Sequence, residues 1–130
     1  MADSLVPRDP PRILIIDDDP RIRQLLRATL ESAGYAVLEA DEGGQGLVMA
    51  ARERCALAIV DLFMPGKEGL ETIVAARRTM PTLKLIAISG GSADGNLLAV
   101  AESFGANRTI EKPFELTHLL HLVAELVPTP

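Results

Sequence analysis

The sequence predicts an α/β fold in which five βα units build a five-stranded parallel sheet with helices on both faces. Short apolar runs begin near residues 12, 35, 57, 83 and 107, so they recur at nearly regular intervals. A segment long enough for a helix separates each run from the next, which is typical of parallel strand pairing. The run at 57–61 also stops abruptly on Asp61 before Pro65-Gly66, as a buried strand does at the carboxyl edge of a sheet.

Start and stop signals bound the first elements of the chain. The first strand is predicted over residues 12–16, and the following helix begins at Pro20 with Asp19 as its cap. Gly34 ends that helix because glycine readily adopts the left-handed conformation found after helix ends. The second strand is predicted over 35–39 and, being less apolar than the others, lies nearer an edge of the sheet.

The remaining elements follow from alternating apolar runs and helical periodicity. They are helix 41–54, strand 57–61, helix 68–80, strand 83–88, a helix after the loop at 89–92, strand 107–110 and helix 115–127. The residues expected to face the core are Leu70, Ile73 and Val74 in the third helix and Leu97, Leu98, Ala101 and Phe104 in the fourth. In the last helix the expected stripe comprises Leu116, Leu119, Leu120, Val123 and Val127. Leu122 lies off this stripe, so it is expected to be exposed and to form, with Leu126, part of a partner-binding surface.

Acidic residues end two of the predicted strands. Asp17, Asp18 and Asp19 follow the first strand, and Asp61 ends the third. Pairing of these strands would place four carboxylates at one edge of the sheet, where open α/β sheets bind ligands. Charges about 4 Å apart repel by roughly 4 kcal/mol per pair at an effective dielectric near 20. The cluster therefore predicts a site for a divalent cation.

Two more polar residues fall at the same edge, Ser89 after the fourth strand and Lys112 after the fifth. With them, the chain resembles the receiver domain of two-component response regulators. The matching stretches are Ile-Leu-Ile-Ile-Asp-Asp-Asp-Pro at 13–20, Ile-Val-Asp-Leu-Phe-Met-Pro-Gly at 59–66, Ile-Ser-Gly-Gly at 88–91 and Glu-Lys-Pro-Phe at 111–114. The resemblance covers about residues 12–127 and implies a flavodoxin-like (βα)5 fold with strand order 2-1-3-4-5.

The resemblance also assigns roles to the acidic residues. Asp61 is implied to be the phosphoryl acceptor, a carboxylate that becomes an acyl phosphate. Asp18 and Asp61 are implied to bind Mg²⁺ directly, with Asp17 acting through a water and the backbone carbonyl of Phe63 as a further ligand. Asp19 is assigned to the helix cap instead. Mg²⁺ is thus the expected cofactor.

The remaining roles concern the phosphoryl group and the switch. Lys112 is implied to pair with the phosphoryl group as a point charge, next to a cis peptide bond before Pro113. Ser89 offers a hydroxyl to a phosphoryl oxygen, although it could instead cap the following helix. Many family members carry an aromatic residue three positions before the lysine, and here that switch position holds Thr109, which has no ring to swing. Phe63 is unusually bulky for its position and is expected to slow hydrolysis by hindering the attacking water.

The favoured function is that of a stand-alone phospho-acceptor, which is not an enzyme because it turns over no substrate. A sensor histidine kinase or histidine phosphotransfer protein would donate the phosphoryl group, and the surface of the last two helices and the last strand would then bind an unknown protein target. One alternative is a receiver that binds partners without being phosphorylated. A second is a phosphohydrolase of the haloacid dehalogenase type with Asp17 as nucleophile, which leaves Asp61 without a role. A flavodoxin-like FMN carrier is a third, disfavoured because the loop after the first strand is acidic.

Composition and charge narrow the setting in which the chain works. The formal net charge of -5 argues against direct binding to nucleic acid. No apolar run is long enough to span a bilayer and the N-terminus does not match a signal peptide, so a cytoplasmic monomer without a membrane partner is expected. Cys55 is the single cysteine and is expected to be packed and unreactive, and His118 and His121 are expected on the surface. The expected organisation is a disordered lead-in at 1–11, the receiver domain at 12–127 and a tail at 128–130.

Overall fold

Strands and helices alternate along the chain in the computed structural model, which describes residues 9–62, 68–90 and 95–129. The strands of this described part are β1 (Arg12–Ile16), β2 (Ala36–Ala40), β3 (Leu57–Asp61), β4 (Lys84–Ser89) and β5 (Arg108–Glu111). Its helices are α1 (Pro20–Ser32), α2 (Gly43–Glu53), α3 (Glu68–Thr79), α4 (Gly95–Ser103) and α5 (Leu116–Leu126). Most of the predicted lead-in, residues 1–8, lies outside the described residues, as do Phe63 and Pro130.

All strand pairs are parallel, and the strand order is β2-β1-β3-β4-β5. The predicted fold class, its strand order and the edge position of the second strand are therefore confirmed. β3 lies in the centre of the sheet, and each of its residues is buried. Asp61, its last residue, lies opposite Ile88 of β4, and Ser89 lies opposite Glu111 of β5. The register thus aligns the polar residues that end the central strands.

Alternating side chains of the sheet build one apolar layer on each face. One layer joins α1 and α5 to the sheet through Ile13, Ile15, Leu26, Leu30, Leu57, Ile59, Ile86, Ile88, Leu119 and Val123. The other joins α2, α3 and α4 to it through Leu14, Ile16, Ala50, Ala58, Val60, Ile73, Ala76, Leu85, Ala87 and Ala101. The strand ends at the carboxyl edge are held between these two layers.

Side-chain caps fix where the first two helices begin. The Asp19 carboxylate accepts a hydrogen bond from the Arg21 backbone N–H at 2.9 Å, so the predicted cap of α1 is confirmed. In α2 the cap is Glu42, which accepts from the Gln45 N–H at 2.7 Å, and the helix begins at Gly43. A Cβ on Gly43 would lie 1.8 Å from the Thr72 hydroxyl oxygen, so glycine is required for the close contact between α2 and α3.

Three residues differ in exposure from what the sequence predicted. Leu122 is only 8% exposed and belongs to the α1–α5 layer, so its predicted exposure is wrong, and Leu126 is half-buried. Leu119, Leu122, Val123 and Leu126 themselves follow helical i, i+3, i+4, i+7 spacing, and this stripe faces the sheet. Val74 is exposed because α3 buries its Gly69, Thr72, Ile73 and Ala76 face instead. Phe104 is 46% exposed and follows α4, which ends at Ser103, so it does not continue the buried face of that helix as predicted.

A single arginine ties the end of α3 to the turn between α4 and β5. Arg77 donates hydrogen bonds to the carbonyl oxygens of Gly105 at 2.7 Å and Leu83 at 2.9 Å and to Asn107 Oδ1 at 3.0 Å. Asn107 Oδ1 also accepts from the Leu85 N–H at 2.9 Å. Because this guanidinium satisfies acceptors both in the connection before β4 and in the turn after α4, it fixes the position of the C-terminal end of α4.

Several smaller expectations are also tested by the described residues. His118 and His121 are exposed, as predicted. Cys55 is half-buried and burial raises the pKa of its thiol, which favours the unreactive protonated form, as predicted. In the part of the chain that the structure describes, no helix is both long and apolar enough to cross a membrane.

Candidate acidic site at the carboxyl edge of the sheet

Three carboxylates meet where β1 and β3 end. Asp17, Asp18 and Asp61 each offer an oxygen that lies within 4.8 Å of those of the other two. Asp17 and Asp61 are only 2% and 3% exposed, whereas Asp18 is exposed to solvent. Asp19 points its carboxylate to the start of α1 and is not part of the group. The predicted cluster is therefore present with three members rather than four.

Asp17 is held rigidly at the floor of the site. Its Oδ1 accepts a hydrogen bond from the Asp19 N–H at 2.9 Å, and its backbone carbonyl accepts from Arg23 at 2.6 Å. Burial raises the pKa of Asp17 from 3.8 to about 6, an effect that the neighbouring Asp61 carboxylate reinforces and that the Asp19 N–H and Lys112 oppose. At neutral pH this position holds a charge that burial disfavours, so a bound cation would relieve an existing electrostatic cost.

Lys112 supplies a positive charge next to Asp61. Its Nζ lies 3.4 Å from Asp61 Oδ2, and its backbone N–H donates to the Ser89 carbonyl oxygen at 2.8 Å. The Lys112–Pro113 peptide bond is cis, as the resemblance implied. Three carboxylates against one ammonium leave the site with a net negative charge. Carboxylate oxygens in this number suit a hard divalent cation, so the residues present fit a metal of that kind.

Ser89 ends β4 one residue beyond Ile88, the partner of Asp61 in the sheet, and is almost completely buried, with 1% of its surface exposed. Its hydroxyl oxygen has no hydrogen-bond partner among the residues that the structure describes. The alternative role of a helix cap is not observed within the same described residues. A buried hydroxyl without a partner costs roughly 1–3 kcal/mol, so Ser89 has an unmet capacity to donate at the edge of the site.

Thr109 connects the last strand to the fourth helix. Its hydroxyl donates a hydrogen bond to Glu102 Oε1 on α4 at 3.1 Å. Glu102 was not among the residues that the sequence singled out, because an exposed acid in a helix carries no motif of its own. The predicted ligand from Phe63 lies outside the described residues. The described site therefore contains the predicted Asp17, Asp18, Asp61, Ser89 and Lys112, with Thr109 on a separate path to α4.

Comparisons with known proteins agree with this arrangement. The profile of the family described as the response regulator receiver domain matches residues 13–124. The chain is 34% identical over 116 residues to the response regulator MprA of Mycobacterium leprae, covering 89% of this chain and 50% of that protein. It is 32% identical over 109 residues to the transcriptional activator protein PfeR of Pseudomonas aeruginosa, covering 84% and 35%. The chain thus spans half or less of the length of these relatives.

Solved structures show the same similarity. A CheY-like receiver domain protein from Methanospirillum hungatei is 33% identical, with a TM-score of 0.82 over 90% of this chain and 93% of that chain. The chemotaxis protein CheY4 of Vibrio cholerae is 27% identical, with a TM-score of 0.81 over 91% and 99%. The match of the family profile to most of the chain, together with these relatives, shows that the chain belongs to the response regulator receiver domains of two-component systems.

Proposed function

We propose that this receiver domain accepts a phosphoryl group on Asp61 from a phosphohistidine of a partner protein. The observation that carries the proposal is the position of Asp61, buried at the end of the central strand and 3.4 Å from Lys112 Nζ, with two further carboxylates beside it. A carboxylate oxygen of Asp61 would form the new bond to phosphorus while the bond from phosphorus to the histidine nitrogen breaks. The histidine then leaves as a neutral imidazole once it has gained a proton.

The neighbours of Asp61 fit this role better than they fit a nucleophile at Asp17. Lys112 contacts Asp61, so it is placed to neutralise charge on a phosphoryl group attached there. Asp17 already uses Oδ1 to accept from the Asp19 N–H, which assigns it to the floor of the site. Membership in the receiver family also argues against the phosphohydrolase and FMN-carrier alternatives.

The three acidic residues of the site would also hold Mg²⁺, with Asp18 and Asp61 as direct ligands and Asp17 acting through a water. When bound, the ion would neutralise charge on the phosphoryl oxygens and so favour transfer. The backbone carbonyl of Phe63 is proposed as a further ligand from the family resemblance. Carboxylates at one sheet edge and a net negative charge support this choice of a hard oxygen-seeking cation.

Ser89 would provide the contact that distinguishes the two states. Its buried hydroxyl has no acceptor in the described residues, and a phosphoryl oxygen on the adjacent Asp61 would supply one. A phosphoryl group can shift the conformational equilibrium only through interactions that differ between the states, and this new hydrogen bond is such a difference. The hydrogen bond from Thr109 to Glu102 offers a link from β5 to α4 without an aromatic ring.

The output of the domain would be the binding of a protein target to the surface formed by α4, β5 and α5. The donor would be a sensor histidine kinase or a histidine phosphotransfer protein, and the domain, residues 12–127, would act in the cytoplasm as a monomer. It would assist both its own phosphorylation and its own dephosphorylation, which would be slow, without turning over a separate substrate.

Phe63 would slow hydrolysis of the phosphorylated Asp61 by hindering the attacking water. A Phe63→Asn variant should therefore lose phosphate faster than the wild type, and an unchanged rate would contradict this role.

Intact-mass measurement after incubation with acetyl phosphate and Mg²⁺ tests the proposal. The wild type should gain one phosphoryl adduct, which should not form when EDTA replaces Mg²⁺, and Asp61→Ala should gain none. Asp41→Asn is the matched control, since Asp41 is an exposed acid directly after β2 at the same edge of the sheet. An adduct that persists in Asp61→Ala would move the nucleophile elsewhere. A folded wild type without an adduct would instead favour a receiver that binds partners without being phosphorylated.

A further inference from the structure

A groove of about 510 Å³ lies between α4, β5 and the start of α5. Leu98 of α4 and Thr109 of β5 line it, and Pro113 and Phe114 of the β5–α5 connection complete its apolar wall. Leu98 and Phe114 are half-buried and Pro113 is exposed, so these groups face an open surface. The volume falls within the range of roughly 300–1,000 Å³ typical of small-ligand sites. It has room for a large side chain.

The short side chain of Thr109 helps to keep this groove open. Thr109 lines the groove from β5, and its hydroxyl is engaged by Glu102 at 3.1 Å. A larger residue at this position would take up part of the groove. Position 109 carries no aromatic ring in this chain, so the groove is open to an aromatic side chain of another protein. Such a ring would contact the apolar side chains of Leu98 and Phe114.

The rim of the groove is acidic. Glu111 and Glu115 line it and are exposed, and the exposed Glu102 lies beside Thr109. None of the three forms an ion pair among the described residues. Two nearby cations contact other acids, since Arg108 lies 3.6 Å from Glu125 and Lys112 lies 3.4 Å from Asp61, and the exposed His118 also lines the groove. The rim therefore presents negative charge that a basic partner would neutralise.

The same charges disfavour a second copy of this chain as the occupant. In a two-fold symmetric pair the same patch faces itself, so acids of one copy would approach acids of the other. Helix α5 contains no lysine or arginine between Leu116 and Leu126 that could offset them. Charge complementarity thus favours a different protein over self-association.

From the groove and its charge we infer that the α4–β5–α5 surface binds a basic segment of another protein, which inserts an aromatic side chain over Thr109. This inference rests on the proposed function, because it names the class of partner for the proposed output surface. The apolar wall would bind the aromatic ring, and lysine or arginine residues on either side of it would face Glu111 and Glu115.

Selection from a phage-displayed library of random short peptides tests the inference without assuming one partner sequence. The library is selected on the whole protein, both with and without acetyl phosphate and Mg²⁺, after depletion on a Thr109→Trp variant whose groove is filled. Enriched peptides should carry an aromatic residue flanked by lysine or arginine. Enrichment of acidic peptides, or no enrichment in either state, would overturn the inference.

Binding of a selected peptide, followed by fluorescence anisotropy, then locates the contact. Thr109→Trp should weaken it by about tenfold or more, as expected for loss of a central anchor. Neutralising both rim acids with Glu111→Gln and Glu115→Gln should weaken it roughly three- to tenfold, the scale of two exposed ion pairs. Glu71→Gln, an exposed acid on α3, is the control and should leave binding unchanged. Equal loss in the control would show a non-specific charge effect and overturn the inference.

Measuring both peptide binding and the phosphoryl adduct on Asp61 separates this inference from the proposed function. Peptide binding at the groove without any phosphoryl adduct on Asp61 would support the partner class and contradict phosphorylation. An adduct on Asp61 without groove binding in either state would do the reverse. Sedimentation velocity provides the last check, because a dimer that dissociates in the Thr109→Trp variant would assign the groove to a second copy and overturn the inference.

Discussion

Replacing Asp17 by asparagine should stabilise the metal-free protein at neutral pH, although it alters the floor of the site. Asp17 is 2% exposed, and burial together with the adjacent Asp61 raises its pKa to about 6. Asparagine has nearly the same shape and its side-chain oxygen can still accept from the Asp19 N–H. Its amide group adds a donor towards Asp61 where the wild type has a second negative charge.

The direction and size of the effect follow from the pKa of Asp17. The folded state holds the proton more tightly than the unfolded state, whose value is 3.8, so the free energy of unfolding falls as the pH rises from about 4 to about 6. Above that range the full cost is present. At about 1.36 kcal/mol per pKa unit it amounts to roughly 3 kcal/mol as an order of magnitude. Asp17→Asn lacks this cost, so its advantage should be small near pH 4 and level off above pH 6.

Thermal melting in EDTA across this pH range measures the difference. A gain of 1–3 kcal/mol corresponds to an increase in Tm of very roughly 3–10 °C for a domain of this size. Mg²⁺ should stabilise the wild type more than Asp17→Asn, because only the folded wild type offers the complete acidic site. Asp41→Asn serves as the exposed control. A difference in Tm that is absent at neutral pH, or that does not change with pH, would refute the reasoning.

Three further substitutions test separate parts of the structure. Asp18→Asn should also raise the Tm in EDTA, but by less than Asp17→Asn, because Asp18 is exposed and solvent screens its charge; a lower Tm would show that the acids do not repel. Ser89→Ala should leave the free energy of unfolding unchanged or raise it by up to about 1 kcal/mol in urea denaturation, since its buried hydroxyl has no partner among the described residues. A clear loss of stability would reveal such a partner. Arg77→Ala should lower the free energy of unfolding by about 2–3 kcal/mol in the same assay, because it leaves several carbonyl groups without their donor. As a control, substitution of its exposed neighbour, Arg78→Ala, should lower it by less than about 0.5 kcal/mol.

The parts of the fold that the sequence predicts best are those marked by strong local signals. β1 and β3 have the predicted bounds, because each contains a run of four aliphatic residues directly followed by an acid. β2 begins one residue later than predicted. Tyr35, the predicted first residue of β2, precedes the strand and is buried. Its hydroxyl donates to the Val127 carbonyl oxygen at 2.6 Å across 92 positions of the chain. Local periodicity carries no information about such a contact.

The same limit explains the error at Leu122. Helix α5 has so many apolar positions, including Leu119, Leu120, Leu122 and Val123, that more than one stripe satisfies helical spacing. The choice between them is made by the sheet and by α1, against which Leu122 packs. Site residues at strand ends escape this ambiguity, because parallel strands necessarily bring their carboxyl ends to one edge. Glu102 does not, because its contact with Thr109 depends on how α4 packs against β5.

Two features of the site are unfavourable in the resting protein, and the proposed chemistry relieves both. Asp17 holds a charge that burial disfavours above about pH 6, and Ser89 holds a buried hydroxyl without a partner in the described residues. A cation beside Asp17 and a phosphoryl oxygen beside Ser89 would remove these costs together, within one group of contacts around Asp61. The metal-free, unphosphorylated protein would therefore carry both costs at the site of phosphoryl transfer. Because a cation and a phosphoryl group bound at this edge would carry opposite charges and lie close together, cation binding and phosphorylation should each make the other more favourable.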